Sequence, residues 1–330
     1  DEDREIKDDD IRRQYHLGKA TSIKPLEAKR THIDDFIDLE MQISVSDDQI
    51  AVGTGELKKE WRKDGKRFFL YEANDIPFRF ALSSARYKVK KAIHNGVHIE
   101  VLYHPIHGQN VGELIKNTTL TLDYCSKNFG PYPFTSIVFA EVSSFTQGFN
   151  GTAYPGVIYM TENMAFHSNV KAGDNQDVIN ELAGHEVAHF WWGNNQISPD
   201  YREGYAMLTE SLAMYTEMMI YKQRHGEEKM LERLEVQKQI YESQKGFHEP
   251  VPLLKATQQY TDIAYNKGAV VFVELSQLIG ENTLNLVLKN FLKDFKYPNP
   301  KPVSTDLLTE ILKVSDKKFH QRIKDLFWEE

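Results

Sequence analysis

The sequence lacks several features that mark particular classes of protein. Its 330 residues contain one cysteine, Cys125, so no disulfide can form within the chain. A lone cysteine is compatible with a reducing compartment and with a bacterial extracytoplasmic domain, so it leaves the location open. The apolar runs, of which residues 268–273 form one of the longest, are far shorter than the ~18 residues that a membrane-spanning helix needs. We therefore expect no membrane span in this chain.

A stripe of arginine and lysine is also missing. The chain carries 40 Lys and Arg against 48 Asp and Glu, a formal net charge of -8, whereas nucleic-acid binding depends on clustered cations that neutralise phosphates. We therefore expect no nucleic-acid partner. The composition is otherwise that of a globular protein, with 41% hydrophobic and 27% charged residues, enough for a sizeable core. Because the chain begins at Asp1 and shows no signal segment, we expect a fragment or a processed product.

The order of patterns along the chain predicts an α+β protein. Residues 1–30 mix acidic clusters with basic residues and are interpreted as a linker or arm. Residues 31–108 show period-two alternation, with Asp64-Gly65 and Asn95-Gly96 as hairpin turns, which predicts a truncated antiparallel β domain. Residues 109–330 are mainly helical in pattern and are expected to form a second domain.

Some elements of this second part can be placed more closely. A helix is expected to begin at Asn110, with Glu113 completing a capping box. Two strands are expected at residues 136–142 and 156–160. Beyond residue 174 the periodicity is almost wholly helical.

The most specific motif is His185-Glu186-Val-Ala-His189, which contains the pattern His-Glu-x-x-His within a predicted helix. At about 100° per residue the two histidines share one helix face, so two imidazoles can bind one tetrahedral zinc ion. Glu186 projects beside them, in the position of a base. The alternative is a pair of surface histidines on an amphipathic helix.

A catalytic zinc generally uses a third protein ligand and keeps one position open. Glu210 lies on the next predicted helix, with 20 residues between it and His189. Two antiparallel helices can bring its carboxylate back to the histidine pair. Taken alone, Glu210 would be interpreted as a solvated helix carboxylate.

Three separated motifs resemble the aminopeptidase N family of gluzincin metallopeptidases. They are His185-Glu-Val-Ala-His189-Phe-Trp-Trp-Gly-Asn, Thr209-Glu-Ser-Leu-Ala-Met-Tyr and Tyr265-Asn-Lys-Gly268. The resemblance covers roughly residues 30–330 and implies a thermolysin-like, mainly helical catalytic domain that uses one zinc ion to hydrolyse peptide substrates. The wording Glu-Ser-Leu-Ala is most similar to bacterial members, including domains attached to ABC-type membrane permeases, which implies a larger membrane-associated protein.

The resemblance also assigns roles to individual residues. It implies that His185, His189 and Glu210 are zinc ligands, that Glu186 is the general base and that Tyr265 supports the transition state. The last role agrees with the chemistry of a phenol, which stays protonated at neutral pH and can donate a hydrogen bond to a developing oxyanion.

Two departures from the family pattern affect these expectations. The 20 residues between His189 and Glu210 exceed the typical spacing of the family by two. We expect the extra residues to lengthen the loop at residues 198–204. Glu203 in this loop is an alternative ligand.

The larger departure concerns the family segment Gly-x-Met-Glu-Asn, which here reads Asn150-Gly151-Thr-Ala153-Tyr154. Ala153 replaces the glutamate that binds the substrate's free α-amino group. A buried ammonium without a countercharge costs on the order of several kcal/mol, so strict aminopeptidase action loses a determinant. Gly151, Ala153 and Tyr154 remain candidate substrate-binding residues. Glu141, which ends the preceding strand, either supplies the missing carboxylate or is a plain strand-end acid.

Other features receive weaker interpretations. His104 and His107 flank a proline in a predicted loop and are interpreted as surface structure rather than as a second metal site. Asn194 either orients a zinc ligand or serves as a cap or turn residue. Tyr260 is expected to line the cleft.

Three functional hypotheses follow. The first is a zinc metallopeptidase of the aminopeptidase type. The second is a peptidase without a strict requirement for a free N-terminus. The third is a catalytically silent binding or regulatory domain of a membrane transport complex, against which the retained Glu186 and Tyr265 argue, because structural zinc requires neither.

Overall fold

The structure, a computed structural model, describes residues 9–17, 23–30, 36–144, 150–168, 178–193 and 195–329. The strands lie in the first half of the chain and are β1 (Phe36–Ser46), β2 (Ile50–Gly53), β3 (Glu56–Lys63), β4 (Lys66–Pro77), β5 (Leu82–Ala85), β6 (Lys88–His94), β7 (Val97–Tyr103), β8 (Ser136–Val142), β9 (Gly151–Tyr154) and β10 (Val157–Thr161).

Most of the described α-helices lie in the second half of the chain. The helices are α1 (Asp9–Gln14), α2 (Val111–Asn128), α3 (Val178–Ala188), α4 (Leu212–His225), α5 (Glu227–Gln244), α6 (Gly268–Ile279), α7 (Glu281–Phe295), α8 (Ser304–Val314) and α9 (His320–Trp328). The predicted α+β order, with antiparallel strands first and helices last, is confirmed.

The N-terminal strands pair in antiparallel fashion. β1, β4 and β3 form a three-stranded sheet, and β2 pairs with β5. The β3–β4 turn at Asp64-Gly65 has φ values of 51° and 71°, and the β6–β7 turn at Asn95-Gly96 has 49° and 84°. Two positive φ values in a row are the conformation of a tight hairpin turn, so both predicted hairpins are confirmed.

A five-stranded sheet of order β6-β7-β8-β10-β9 connects the two halves of the chain. Its three central strands, β7, β8 and β10, run parallel, while the outer two are antiparallel to their neighbours. Helix α2 makes the crossover from β7 to β8 that a parallel pair requires. The alternation pattern predicts strands but not their direction, and the short strand β9 was not predicted.

Helices α2 and α3 pack against this sheet, and α4 packs against both of them and against α6, in a single large core. The core takes in Trp191 and Trp192, both completely buried. Gly268, the first residue of α6, lies so close to α4 that a Cβ there would meet the Ser211 hydroxyl at 2.3 Å. Glycine at this position therefore allows α4 and α6 to approach each other closely. The residues that immediately precede the two helices are brought together as well.

The predicted capping box of α2 is wrong, although the helix itself is confirmed. The Asn110 side-chain amide makes no cap hydrogen bond and instead donates to the carbonyls of Ala165, at 3.1 Å, and Ser168, at 2.8 Å. This asparagine therefore connects the start of α2 to the segment after β10. The capping pattern does not reveal such a tertiary partner.

Residues 23–30 of the N-terminal arm lie against the loop that precedes Glu210. The Leu26 amide donates to Glu203 Oε2 at 3.1 Å, and Arg202 Nη1 donates to the Leu26 carbonyl at 3.2 Å. Leu26 itself is buried. Within the described residues, no helix combines the length and apolar character needed to cross a bilayer.

Candidate metal centre and active site

Three buried side chains converge beside α3. His185 lies in this helix, and His189 follows one turn later, directly after the helix ends at Ala188; their Nε2 atoms are 3.2 Å apart. Glu210 Oε2 lies 3.2 Å from His185 Nε2 and 3.4 Å from His189 Nε2. A tetrahedral zinc ion with bonds of 2.0–2.1 Å requires ligand atoms roughly 3.3 Å apart. These three residues, which we call the helix cluster, therefore have the spacing of three corners of a zinc tetrahedron.

Glu210 reaches the histidines from a π-helical turn, Met207–Ser211, directly before α4. The loop that returns the chain from His189 bends at Gly193, whose φ is 93°. A Cβ on this glycine would lie 2.4 Å from the Thr209 side chain. The close approach of loop and turn thus requires glycine. This approach brings Glu210, the residue after Thr209, to the histidine pair.

Polar partners orient two of the three side chains. His189 Nδ1 lies 2.9 Å from the Trp192 carbonyl oxygen. Because a carbonyl can only accept, Nδ1 carries the proton and Nε2 presents its lone pair to the centre of the cluster. Gln258 Nε2 donates to Glu210 Oε1 at 3.0 Å, which leaves Oε2 facing the histidines. Such supporting hydrogen bonds fix ligand geometry.

A charged network lies behind His185. Glu217 Oε2 is 3.8 Å from His185 Nδ1, and Arg233 of α5 pairs with Glu217 at 2.5 Å and also with Glu181 of α3. All of these groups are largely withdrawn from solvent. Arg233 therefore connects α3, which carries His185, to α4, which follows the turn that carries Glu210.

Electrostatics separate the two glutamates of the site. Burial raises the pKa of Glu186, against the opposing charges of His189 and His185. Burial acts in the same direction on Glu210, but the charges and hydrogen bonds of His189 and His185 outweigh it and hold the pKa of Glu210 well below its usual value. Glu210 is thus the permanent anion, as a metal ligand must be, and Glu186 is the carboxylate that more readily accepts a proton.

Strand β9 passes directly over Glu186. A Cβ on Gly151 would lie 2.8 Å from Glu186 Oε1 and 3.0 Å from its Cγ. The backbone of this edge strand therefore forms a wall against the carboxylate, and any side chain at Gly151 would displace it. The sequence pattern named Gly151 as a substrate-binding candidate but gave no sign of this contact.

Tyr265 lies beside His185 of the helix cluster. It belongs to a π-helical turn, Asp262–Lys267, directly before α6. Its ring stacks on that of His185, with centroids 5.4 Å apart and planes 17° apart. The phenol is therefore adjacent to the helix cluster, as its predicted role requires.

The remaining predicted residues lie in different surroundings. Ala153 is buried in β9 opposite Ile158, and Tyr154 packs edge-on against Tyr159 with Arg79 over its ring. Tyr260 contacts the ring of His248. Asn194 lies outside the described residues.

Glu203, the alternative ligand, is not in the helix cluster. Its carboxylate accepts from the Leu26 amide and pairs with Lys255 at 3.2 Å. It therefore holds the arm against the loop, and among the described residues the histidine pair is completed by Glu210.

The interpretation of His107 as surface structure is wrong. His104 is exposed, but the His107 side chain is buried, and its Nδ1 contacts Glu141 Oε1. The other oxygen of Glu141 accepts from the His104 amide at 2.6 Å. Glu141 is thus buried among polar partners at the end of β8 rather than extended into solvent.

An antiparallel β unit followed by a helical domain with His-Glu-x-x-His and a distant glutamate is the arrangement of the gluzincin class of metallopeptidases. The sequence matches the Peptidase family M1 domain over residues 114–328. Since this match covers more than half of the chain, the protein belongs to peptidase family M1.

Two curated relatives are aminopeptidases. The chain is 26% identical over 304 residues to mitochondrial aminopeptidase 2 of Saccharomyces cerevisiae, covering 86% of this chain and 31% of the relative. It is 20% identical over 215 residues to endoplasmic reticulum aminopeptidase 2 of Homo sapiens, covering 63% of this chain and 22% of the relative. The chain therefore spans less than a third of the length of these proteins.

Solved structures share the fold. The M1 zinc metallopeptidase from Deinococcus radiodurans superposes with a TM-score of 0.68 at 17% identity, covering 89% of this chain and 64% of that one. A two-domain M1 zinc metallopeptidase mutant bound to L-tryptophan gives a TM-score of 0.67 at 18% identity, covering 88% and 64%. These likenesses support the overall architecture.

Gln258, Glu217 and Arg233 were missed by sequence reasoning. Glu217 follows Glu210 by two helical turns, a spacing that places both on one side of the helix and that offered a signal. Gln258 and Arg233 come from other elements, so no local spacing connects them to the motif.

Proposed function

We propose that this chain hydrolyses peptide bonds with one zinc ion held by His185, His189 and Glu210, and that its action is of the aminopeptidase type. The observation that carries the proposal is the mutual spacing of the three ligand atoms, 3.2 to 3.4 Å. Membership of family M1 and the two aminopeptidase relatives support it.

The donor set fits zinc, since two imidazoles and one carboxylate leave a fourth position open. When bound, the ion supplies Lewis acidity that polarises a peptide carbonyl and makes water more acidic. Glu186 takes the proton of the attacking water and delivers it to the leaving amine, which suits a carboxylate whose pKa burial raises. Tyr265 donates a hydrogen bond to the developing oxyanion.

The proposal is least specific about how the substrate's N-terminus is bound. Ala153 has no carboxylate for an ammonium group, and Gly151 presents only backbone beside Glu186. This observation favours a second candidate function, a peptidase of family M1 that does not require a free N-terminus. Tyr154 is a further proposed substrate-binding residue. Glu141 is the candidate carboxylate for a free amine if it binds no metal ion, because it cannot serve both ligands at once.

We also propose a division of the chain into an arm (1–30), a partial β domain (31–108) and a peptidase domain (109–330). The family match, which begins at residue 114, supports the last boundary, while β6 and β7 extend the sheet of the peptidase domain across it. Attachment to a larger membrane-associated protein is part of the proposal. The alternative to peptidase activity is a catalytically silent binding or regulatory domain of a membrane transport complex.

Hydrolysis of matched peptides that bear free or acetylated N-termini tests the proposal, with zinc content measured on the same preparation. Preference for free amines supports aminopeptidase action, and equal cleavage supports the second candidate. Absence of cleavage with zinc bound supports the silent domain. Each assay is paired with Glu186→Gln, so that cleavage by a contaminating peptidase is recognised.

A further inference from the structure

A second group of potential ligands lies at one edge of the five-stranded sheet. His107 follows β7 by four residues, Glu141 is the penultimate residue of β8, and Glu162 is the first residue after β10. These three strands are adjacent and parallel, so their carboxyl ends meet at the same edge. In open sheets this edge is where ligands bind.

The three side chains converge closely. One ligand atom from each lies within 4.8 Å of the others, and His107 and Glu141 are buried while Glu162 is partly exposed. We call His107, Glu141 and Glu162 the strand-end cluster. Its members come from distant segments, so their convergence is a property of the sheet rather than of any local motif.

The carboxylates of the strand-end cluster are held in place by neighbouring groups. The His104 amide donates to Glu141 Oε2 at 2.6 Å. The Ser144 amide and hydroxyl donate to Glu162 Oε1 at 3.3 Å and 2.7 Å. These two hydrogen bonds hold one oxygen of the Glu162 carboxylate in place. Supporting hydrogen bonds of this kind orient carboxylate ligands around metal ions.

Charge balance points to a cation. Two converging carboxylates, one of them buried, repel each other unless positive charge lies between them. The imidazole of His107 contacts Glu141 directly, and the ring of His167 packs edge-on against His107, with centroids 4.0 Å apart. A divalent ion that separates the His107 and Glu141 atoms would neutralise both carboxylates.

We propose that the strand-end cluster binds a second divalent transition-metal ion, distinct from the ion of the helix cluster. An imidazole with two carboxylates is a donor set that zinc and related ions accept, with a fourth position left for solvent. Calcium, which takes six to eight oxygen ligands, fits it poorly.

The register of the sheet gives the relation between the two sites. Glu141 lies beside Met160 of β10, and Met160 lies beside Gly151 of β9, the residue that touches Glu186. With strands about 4.8 Å apart, the Cα atoms of Glu141 and Gly151 are about 10 Å apart. Residues paired in this way share a face of the sheet, so the strand-end cluster is a close neighbour of the helix cluster.

The test is the zinc content of the full chain after equilibration with zinc and removal of loosely bound ions. We expect about two ions for the wild type, and a loss of about one for His189→Asn and for the double variant His107→Asn, Glu162→Gln. The matched control is His94→Asn, which removes another imidazole–carboxylate pair, that with Asp123 at 2.6 Å, and should leave the count unchanged.

About one ion in the wild type, or a count that the strand-end variants leave unchanged, overturns the proposal. An increase in KM for free-amine peptides with an unchanged ion count identifies the group as an amine-binding site and also overturns it. Glu162→Gln alone, at the partly exposed position, provides a second variant if the double variant does not fold. The ion count does not depend on hydrolysis, so the proposed function can fail while this site stands.

Discussion

The helix cluster and the strand-end cluster use the same kinds of side chain but are built in different ways. In the helix cluster, two ligands are one turn apart at the C-terminal end of α3, and the third enters from the turn before α4. In the strand-end cluster each residue comes from a different parallel strand or the loop after it. Helical spacing is visible in a sequence, whereas the convergence of parallel strand ends is visible only once the strand order is known.

The two clusters also differ in what surrounds them. Glu186 and Tyr265 flank the helix cluster with a carboxylate of raised pKa and a phenol. The strand-end cluster has backbone amides and the Ser144 hydroxyl as its closest described partners. We infer that the first environment suits bond cleavage and the second suits binding. Variants at the helix cluster test its proposed role in bond cleavage, and they are ordered from the largest expected effect to the smallest.

The largest effect is expected for Glu186→Gln. General acid–base catalysis contributes roughly 10²- to 10⁴-fold, so we expect kcat to fall by about that factor while zinc content stays the same. Steady-state hydrolysis and metal analysis on one preparation measure both. Wild-type turnover in this variant removes Glu186 from the mechanism. Glu235→Gln, at an exposed position of α5, is the control.

Tyr265→Phe should lower kcat by about 10²-fold, because it removes one donor to the oxyanion and keeps the ring that stacks on His185. The matched control is Tyr71→Phe, whose hydroxyl donates to the Ala51 carbonyl at 3.0 Å in the N-terminal strands instead. Equal small effects of the two substitutions would show that the Tyr265 hydroxyl takes no part in the reaction.

Gly151→Ala tests the contact between β9 and the base. The added methyl group would lie 2.8 Å from Glu186 Oε1, and displacement of a reacting group by about 1 Å can cost up to about 10²-fold in rate. We expect kcat to fall between about 10- and 100-fold with an unchanged melting temperature, since the flexible carboxylate can move. Gly112→Ala, with only the end of Lys90 nearby, should have no such effect, and equal rates for the two variants would refute the contact.

The smallest effect is expected for Gln258→Leu. Loss of the hydrogen bond to Glu210 Oε1 should weaken zinc binding by about 10-fold, as is typical of groups that support metal ligands, and leave kcat at saturating zinc nearly unchanged. Competition with a chelator measures the affinity. Gln239→Leu, on the exposed surface of α5, is the control, and an affinity equal to that of the control would exclude Gln258 from the site.

The sequence was informative where interactions are local. The His185, Glu186 and His189 arrangement follows from helical geometry, and both hairpin turns follow from Asp-Gly and Asn-Gly pairs. Glu210 needed the family resemblance, because a ligand beyond a loop of variable length has no fixed spacing. His107 was misjudged since its burial depends on the parallel pairing of β7 with β8. The local sequence pattern does not reveal which strands pair.

The central claim is that His185, His189 and Glu210 together hold the ion that serves hydrolysis. Its most direct test compares Glu210→Ala with Glu203→Ala, a glutamate of the same loop region that pairs with Lys255 instead, by zinc content and peptide cleavage. We predict that Glu210→Ala loses one zinc ion relative to the wild type together with all measurable cleavage, and that Glu203→Ala keeps both. Full zinc content and cleavage in Glu210→Ala would contradict the account.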